Sequence, residues 1–301
     1  MNYYNEIKNE LINNEVYKRV KDYSKNRNEL STYYNVGKLL IEAQGGEDRA
    51  KYGDGLIKEY SKKLNDELGR KYNITTLKRM RQFYLIVEKG APLAHQLTWS
   101  HYCELLSIKD INEINYYISI SEKQNLSKRQ LREKIKSKEY QRLDNNTKLK
   151  LINKEKTVVS DFIKNPIVIK NKYNIDKEEV TEKILKKLIL EDLDNFLKEL
   201  GTGFSYIENE YKIKIGNTYN YIDLLLFNYI YNCFIVIELK VIELKKEHIG
   251  QIQIYMNYVD KNIKTINQDK TIGVIICKKD NGYYIEYSSD NRIFSKNYIL
   301  S

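Results

Sequence analysis

Cysteine and histidine are scarce. Cys103, Cys233 and Cys277 are three, and His95, His101 and His248 are three more, in 301 residues. They are too few and too far apart for a disulfide framework or for a metal cluster of nitrogen and sulfur ligands. Apolar runs are short as well: none approaches the roughly 18 residues that a membrane-spanning helix needs. The opening stretch "MNYYNEIKNELINNEVYKRVKDYS" is charged throughout and lacks an apolar core followed by small residues. It does not read as a secretory leader, so a cytoplasmic location and no membrane role are expected. With 2 prolines and 13 glycines, there is no Pro/Gly run to mark a domain boundary, and no internal repeat or low-complexity tract is seen.

What is there describes a globular protein. Hydrophobic residues make up 42% and charged residues 31%, and this length is enough for two domains with cores of their own. The 27 tyrosines and the abundance of lysine fit a compositional bias, and their number is no functional signal. Charge says more when divided. Residues 1–150 hold 29 Lys and Arg against 20 Asp and Glu, whereas residues 151–301 hold 22 against 21, so most of the net +10 lies in the first half. A basic surface of this kind suits a polyanion, because neutralising phosphates releases counterions. A solvated lysine-rich surface fits the charge equally well.

The first half has helical periodicity. "NELSTYYNVGKLLIEAQ", "GDGLIKEYSKKLNDELG" and "ITTLKRMRQFYLIVEKG" space apolar residues three and four apart, as do "WSHYCELLSI", "DINEINYYISISEKQ" and "SKRQLREKIKS". Asp110 and Ser127 are placed as N-caps. An all-α domain is expected over 1–140 and a polar linker over 141–156. Beyond it, "KEEVTEKILKKLILEDLDNFLKELG" predicts one long helix closed by Gly201. Strands are predicted at "FSYIE", "EYKIKIG", "TYNYIDLLLFN", "CFIVIELKV", "TIGVIICKK" and "GYYIEYSS", with a helix at "KKEHIGQIQIYMNYVDKNI". Helix and strand in this order predict an α/β domain with a mixed sheet over 157–301.

Charges intrude into two of the most apolar strands. Side chains alternate faces along a strand, so Glu238 and Lys240 share a face with Val236, and Asp223 shares one with Tyr221 and Leu225. A hairpin around "NYIYN" would bring Asp223 close to Glu238. Glu-x-Lys by itself means little, since Glu6-Ile7-Lys8 and Glu243-Leu244-Lys245 also have it. Burial is what distinguishes this copy, because unpaired buried charges cost several kcal/mol and need a partner or an ion. Two carboxylates can hold Mg²⁺ and leave positions for water and a phosphate oxygen. Lys240 could then stabilise charge in phosphodiester hydrolysis. A structural salt bridge would also account for two of the three charges. Gln251 and Tyr255 lie four apart on one helical face, with His248 a turn earlier.

Taken together, Asp223, Glu238-x-Lys240 and Gln251-x3-Tyr255 resemble the PD-(D/E)XK, or restriction-endonuclease-like, nuclease superfamily. The blocks "FLKELGTGFSYIENEYKI", "YIDLLLFN", "FIVIELK", "GQIQIYMNYVD" and "TIGVIICK" are similar to its YhcG-type nuclease family. So are "YGDGLIKEYSKKLNDELG", "RMRQFYL" and "LTWSHYCELLS" to that family's N-terminal helical domain. The resemblance implies metal ligation by Asp223, Glu238 and the carbonyl of Leu239, a catalytic Lys240, and an accessory pair Gln251 and Tyr255. Mg²⁺ is the implied cofactor, with Mn²⁺ as a substitute. Related nucleases place an acid on the first helix of the domain; here Glu182 and Glu191 both qualify, with Lys186 and Lys187 between them.

For the first domain the resemblance implies a helix-turn-helix-like module binding nucleic acid, with DNA the expected partner. Lys78, Arg79 and Arg81 lie on its second helix, after Arg70 and Lys71 in the turn. A second basic tract, Lys128, Arg129, Arg132, Lys134 and Lys136, could track phosphates. The expected activity is endonuclease or exonuclease cleavage in repair, mobile-element control or restriction. A homodimer would supply two sites for the two strands of a duplex. The alternative is a binding or assembly protein that keeps the nuclease fold without turnover.

Overall fold

The computed structural model describes residues 2–19, 25–46, 54–69, 71–94, 96–279 and 282–301. Arg70 and His95 lie outside them. Contacts divide the chain into two units, Met1–Tyr140 and Gln141–Ser301.

The first unit is helical: α1 (Tyr3–Arg19), α2 (Lys25–Ala43), α3 (Asp54–Leu68), α4 (Ile74–Glu88), α5 (Trp99–Leu105), α6 (Ile111–Gln124) and α7 (Lys128–Lys136). The caps explain several of the starts. Asp110 accepts the N–H of Asn112, and Ser127 and Gln130 satisfy each other's backbone N–H groups, which fixes the first turns of α6 and α7. Apolar residues three and four apart go inside: Leu77, Met80 and Phe83 on α4 are buried. Phe83 packs against Trp99 and Tyr102 of α5 with ring centroids 5.4 and 4.8 Å away.

The second unit begins with α8 (Asn145–Ile152), a short 3₁₀ turn at Val159–Phe162, and β1 (Ile167–Ile169). Then follow α9 (Glu182–Glu191), α10 (Leu193–Leu200), β2 (Phe204–Ile215), β3 (Thr218–Asn228), β4 (Cys233–Glu243), α11 (Lys246–Asn262), β5 (Asp269–Lys279), α12 (Gly282–Glu286) and β6 (Ile293–Leu300). The six strands form one mixed sheet in the order β1-β6-β5-β4-β3-β2. β2, β3 and β4 pair antiparallel, and β4, β5, β6 and β1 pair parallel. One face of the sheet, with Ile235, Ile237 and Leu239, packs on Leu185, Leu188 and Ile189 of α9 and Phe196 and Leu200 of α10. The other, with Leu225, Val236 and Ile275, packs on Ile252, Tyr255, Met256 and Val259 of α11. Gly273 lets α11 lie close, for a Cβ there would sit 2.5 Å from Met256 Sδ.

Several expectations are corrected. Residues 141–156 are no free linker: they carry α8, and Lys150 reaches Asp161 at 2.9 Å while Arg142 bonds Glu199 and the Pro166 carbonyl. The single long helix is two, because Asp192 at φ −133°, ψ 45° leaves helical geometry between them. "FSYIE" and "EYKIKIG" are one strand with an irregularity after Tyr206. "GYYIEYSS" turns into α12 rather than a strand, and the strand that follows is β6, lying between β5 and β1; β6 and β1 have no counterpart among the expected strands. Among the described residues no helix is long and apolar enough to cross a membrane.

Candidate active site

The ladder joining β3 to β4 runs from Asn228 opposite Cys233 to Leu224 opposite Ile237 and stops there. Just past its end, Asp223 Oδ2 accepts the N–H of Leu239 at 3.0 Å. A side chain takes over from the backbone where the two strands part. Strict alternation also fails here: Leu224 and Leu226 pack toward α9 and α10, whereas Ile222 and Leu225 both pack toward α11. Asp223 therefore does not share a regular face with Leu225, as the period of two would have it. The break lets the carboxylate leave the core while its apolar neighbours stay in it.

Glu238 is the most deeply placed group, with 2% of its side chain exposed against 11% for Lys240. Its Oε2 lies 3.5 Å from Lys240 Nζ. Its Oε1 is buried without a hydrogen-bond partner. Burial first, then the nearby charge of Asp223, push the Glu238 carboxyl up to about 8, against the opposing pull of Lys240.

α9 adds two groups from one face, since residues four apart share it. Glu182 Oε2 is 3.5 Å from Lys240 Nζ. Lys186 Nζ is 3.3 Å from Asp223 Oδ1 and 2.8 Å from Glu210 Oε1 on β2. Burial pulls the Lys186 ammonium down, but Glu210 and Asp223 outweigh it and hold it above its usual value. Of the two acids left open by the sequence, Glu182 is the one at the site; Glu191 lies 4.0 Å from Lys187. Lys186 and Glu210 were not among the expected site residues. Their signal was the Glu182-x3-Lys186 spacing on an amphipathic helix and the hairpin register that sets Glu210 across from Asp223.

α11 closes the other side. Gln251 Nε2 donates to Tyr255 OH at 3.1 Å, and Tyr255 is buried beneath the sheet. His248 Nδ1 accepts the N–H of Lys245 at 3.1 Å, and burial, then the charge of Lys240, hold the imidazole below its usual value.

Among the described residues no three His, Cys, Asp or Glu side chains gather into a metal site on their own. The donors brought together are the carboxylates of Asp223 and Glu238, hard oxygens of the kind Mg²⁺ prefers. The orphaned Glu238 oxygen fits a cation, because a buried carboxylate at this cost needs a positive partner.

The expected nucleic-acid contacts of the first unit divide. Lys78 and Arg79 are exposed on α4, and Arg81 is partly buried, its Nε without a hydrogen bond. On α7, Arg132 grips Glu104 through Nε at 2.9 Å and Nη2 at 2.7 Å. Lys128 approaches the same carboxylate at 3.5 Å, Arg129 pairs with Glu133, and Lys134 with Glu139. Much of that tract is thus neutralised within its own unit. Lys71 likewise meets Glu15 at 3.1 Å.

Residues 160–300 match a family model described as the YhcG PDDEXK nuclease domain, and residues 9–142 match the DUF1016 N-terminal domain. "Putative nuclease YhcG" of Escherichia coli (strain K12) is 27% identical over 286 residues, covering 82% of this chain and 76% of that protein. Two solved structures overlap it loosely. The "crystal structure of a repair endonuclease from Pyrococcus abyssi" has 16% identity and a TM-score of 0.29, covering 40% of this chain and 47% of the other. The "Structure of EndoMS-dsDNA2 complex" has 18% identity and a TM-score of 0.30, covering 41% and 48%. The chain thus spans about half the length of either solved protein. Through residues 9–142 it belongs to the DUF1016 N-terminal domain family, and through residues 160–300 to the YhcG PDDEXK nuclease domain family.

Proposed function

We propose that the second unit hydrolyses phosphodiester bonds in nucleic acid, with DNA as its substrate, and that the first unit helps to hold that nucleic acid. The observation that carries this reading is Glu238, a carboxylate with one buried, unpartnered oxygen, set between Asp223 and Lys240. Asp223, Glu238 and the Leu239 carbonyl would hold Mg²⁺, with Mn²⁺ able to replace it. When bound, such a cation lowers the pKa of water and offsets charge building on phosphorus. The remaining work falls to the protein. Glu182 and Glu238 hold the Lys240 ammonium from two sides, which aims it where a phosphate oxygen gains charge. Gln251 and Tyr255 brace each other on α11. For the first unit, the support is the basic excess of residues 1–150 and the exposed Lys78 and Arg79 on α4.

The test is cleavage of labelled single- and double-stranded DNA and RNA in Mg²⁺, Mn²⁺ or chelator. Wild-type protein is expected to cut DNA only with metal, and Asp223→Asn, Glu238→Gln and Lys240→Ala to cut at least about 100-fold more slowly. Equal cleavage by all four proteins would sink the proposed site. One observation favours a second reading, a nuclease fold kept for binding: Lys186 already neutralises Asp223 at 3.3 Å. That reading expects no metal-dependent cleavage from the wild type, and Asp223→Asn to lower stability alone.

A further inference from the structure

β2 is one of the two edge strands of the sheet, and β4 stops pairing with β3 at Leu224. Residues 209–223 therefore extend past β4 as a two-stranded ribbon, turned by the two-residue loop Gly216–Asn217, where Gly216 has φ +59°. The ribbon has two unlike faces. Tyr211, Ile213 and Ile222 turn inward and pack with the α11 core. On the other face Lys212 pairs with Tyr221 and Lys214 with Tyr219. All four are exposed, both tyrosines by 53%. Lys212 Nζ stands 3.9 Å from the centre of the Tyr219 ring and Lys214 Nζ 5.9 Å, so cations and rings are interleaved on one surface. Tyr219, Tyr221 and Asp223 occupy alternate positions of β3, so this surface leads directly to the carboxylate at the centre of the candidate site.

We infer that this ribbon face binds unpaired nucleotides running out of the active site, the tyrosines stacking on bases and the lysines holding phosphates. The inference rests on the nuclease reading and narrows its substrate to nucleic acid with a single-stranded segment beside the cut. Two rings at i and i+2 stand about 6.8 Å apart along a strand, about twice the 3.4 Å rise between stacked bases. A base has room against either ring, and stacking needs a base that is free of its complement. Edge protection would account for the lysines, since charge on an edge strand blocks sheet-to-sheet pairing. It does not account for two exposed tyrosines facing outward in the same register. What marks these residues is that register and their continuity with Asp223.

The experiment measures binding of full-length protein to fluorescent oligo-dT and to a blunt duplex of equal length, in chelator so that nothing is cut. Tyr219→Ala and Tyr221→Ala are each expected to weaken oligo-dT binding at least about fivefold and to leave duplex binding within about twofold. The phenylalanine variants should keep wild-type affinity. Lys212→Ala with Lys214→Ala should flatten the salt dependence of oligo-dT binding and leave that of the duplex unchanged. Unchanged oligo-dT affinity in the alanine variants overturns the inference, as does an equal loss on duplex. So does a change from oligomer to monomer without loss of affinity, which would assign the face to self-association. Failure of the nuclease reading is separately visible. Protein that cuts nothing, yet loses oligo-dT when its tyrosines are replaced, keeps the ribbon surface and loses the catalytic one.

Discussion

Glu238 is expensive to the protein while it stands alone. A carboxylate with 2% exposure and one oxygen without a partner destabilises the fold whenever it carries its charge. Its folded value of about 8 lies above the ordinary 4.5. The stability it supports is therefore complete below the ordinary value and is lost as pH rises through the folded one. At about pH 9, Glu238→Gln removes the buried charge while keeping the shape, and should raise the stability of metal-free protein by at least about 2 kcal/mol. Added Mg²⁺ should raise the melting temperature of the wild type and leave that of the variant unmoved. Thermal denaturation of both proteins, with Mg²⁺ and with chelator, checks both statements. A variant less stable than wild type in chelator would mean that the carboxylate is already satisfied. Sequence alone placed Glu238 and Lys240 together, because a period of two is enough to do so. It left Glu182 open against Glu191 and could not place Lys186, because a helix can meet a sheet in more than one rotational register. Tertiary packing alone decides which of its turns faces Asp223.

Elements whose pattern is local were readable, and elements held by distant partners were not. β3 and β4 announce themselves by runs of apolar residues, and α11 by its spacing. β1 is three residues long, and its place depends on a carboxylate 31 positions away: Glu199 on α10 accepts the N–H of Val168 at 2.9 Å. The same carboxylate holds Arg142 and lies 3.3 Å from Lys164, whose side chain is 4% exposed. Residues 141–156 look like a linker because their anchoring groups are polar, and a polar anchor has no periodicity. Burial pushes the Glu199 carboxyl up, but Arg142, Lys164 and the Val168 N–H outweigh it and hold it below the ordinary 4.5. Its stabilisation is thus complete above that value and is lost as pH falls through the lower folded one. Glu199→Gln should cost about 3 kcal/mol near neutrality, because two cations lose their counter-charge. The gap between variant and wild type should narrow as pH falls from neutrality to well below the ordinary 4.5. Urea unfolding at both ends of that range reads it; a gap that stays constant would mean that the network contributes by shape and not by charge.

At the scale of the whole molecule the charge is asymmetric, and its use depends on which cations face outward. The net +10 belongs largely to residues 1–150, yet the α7 tract spends much of its charge on Glu104, Glu133 and Glu139. Arg132 holds Glu104 in a two-point grip and keeps that carboxyl below its usual value, so its gain from a phosphate would be offset by what it gives up. Lys78 and Arg79 stand exposed on α4. Binding that releases counterions has a slope of log affinity against log salt of about 0.9 per phosphate neutralised on duplex DNA. Replacing Lys78 and Arg79 together by alanine should therefore reduce that slope by about 1 to 2, equally for unrelated sequences. Arg132→Ala should change it by less than about 0.5 while loosening the packing of α5 on α7. Duplex titrations at several salt concentrations in chelator distinguish the two variants. A wild-type slope near zero would remove the polyanion argument, and a larger drop for Arg132→Ala than for the α4 pair would move the contact surface from α4 to α7.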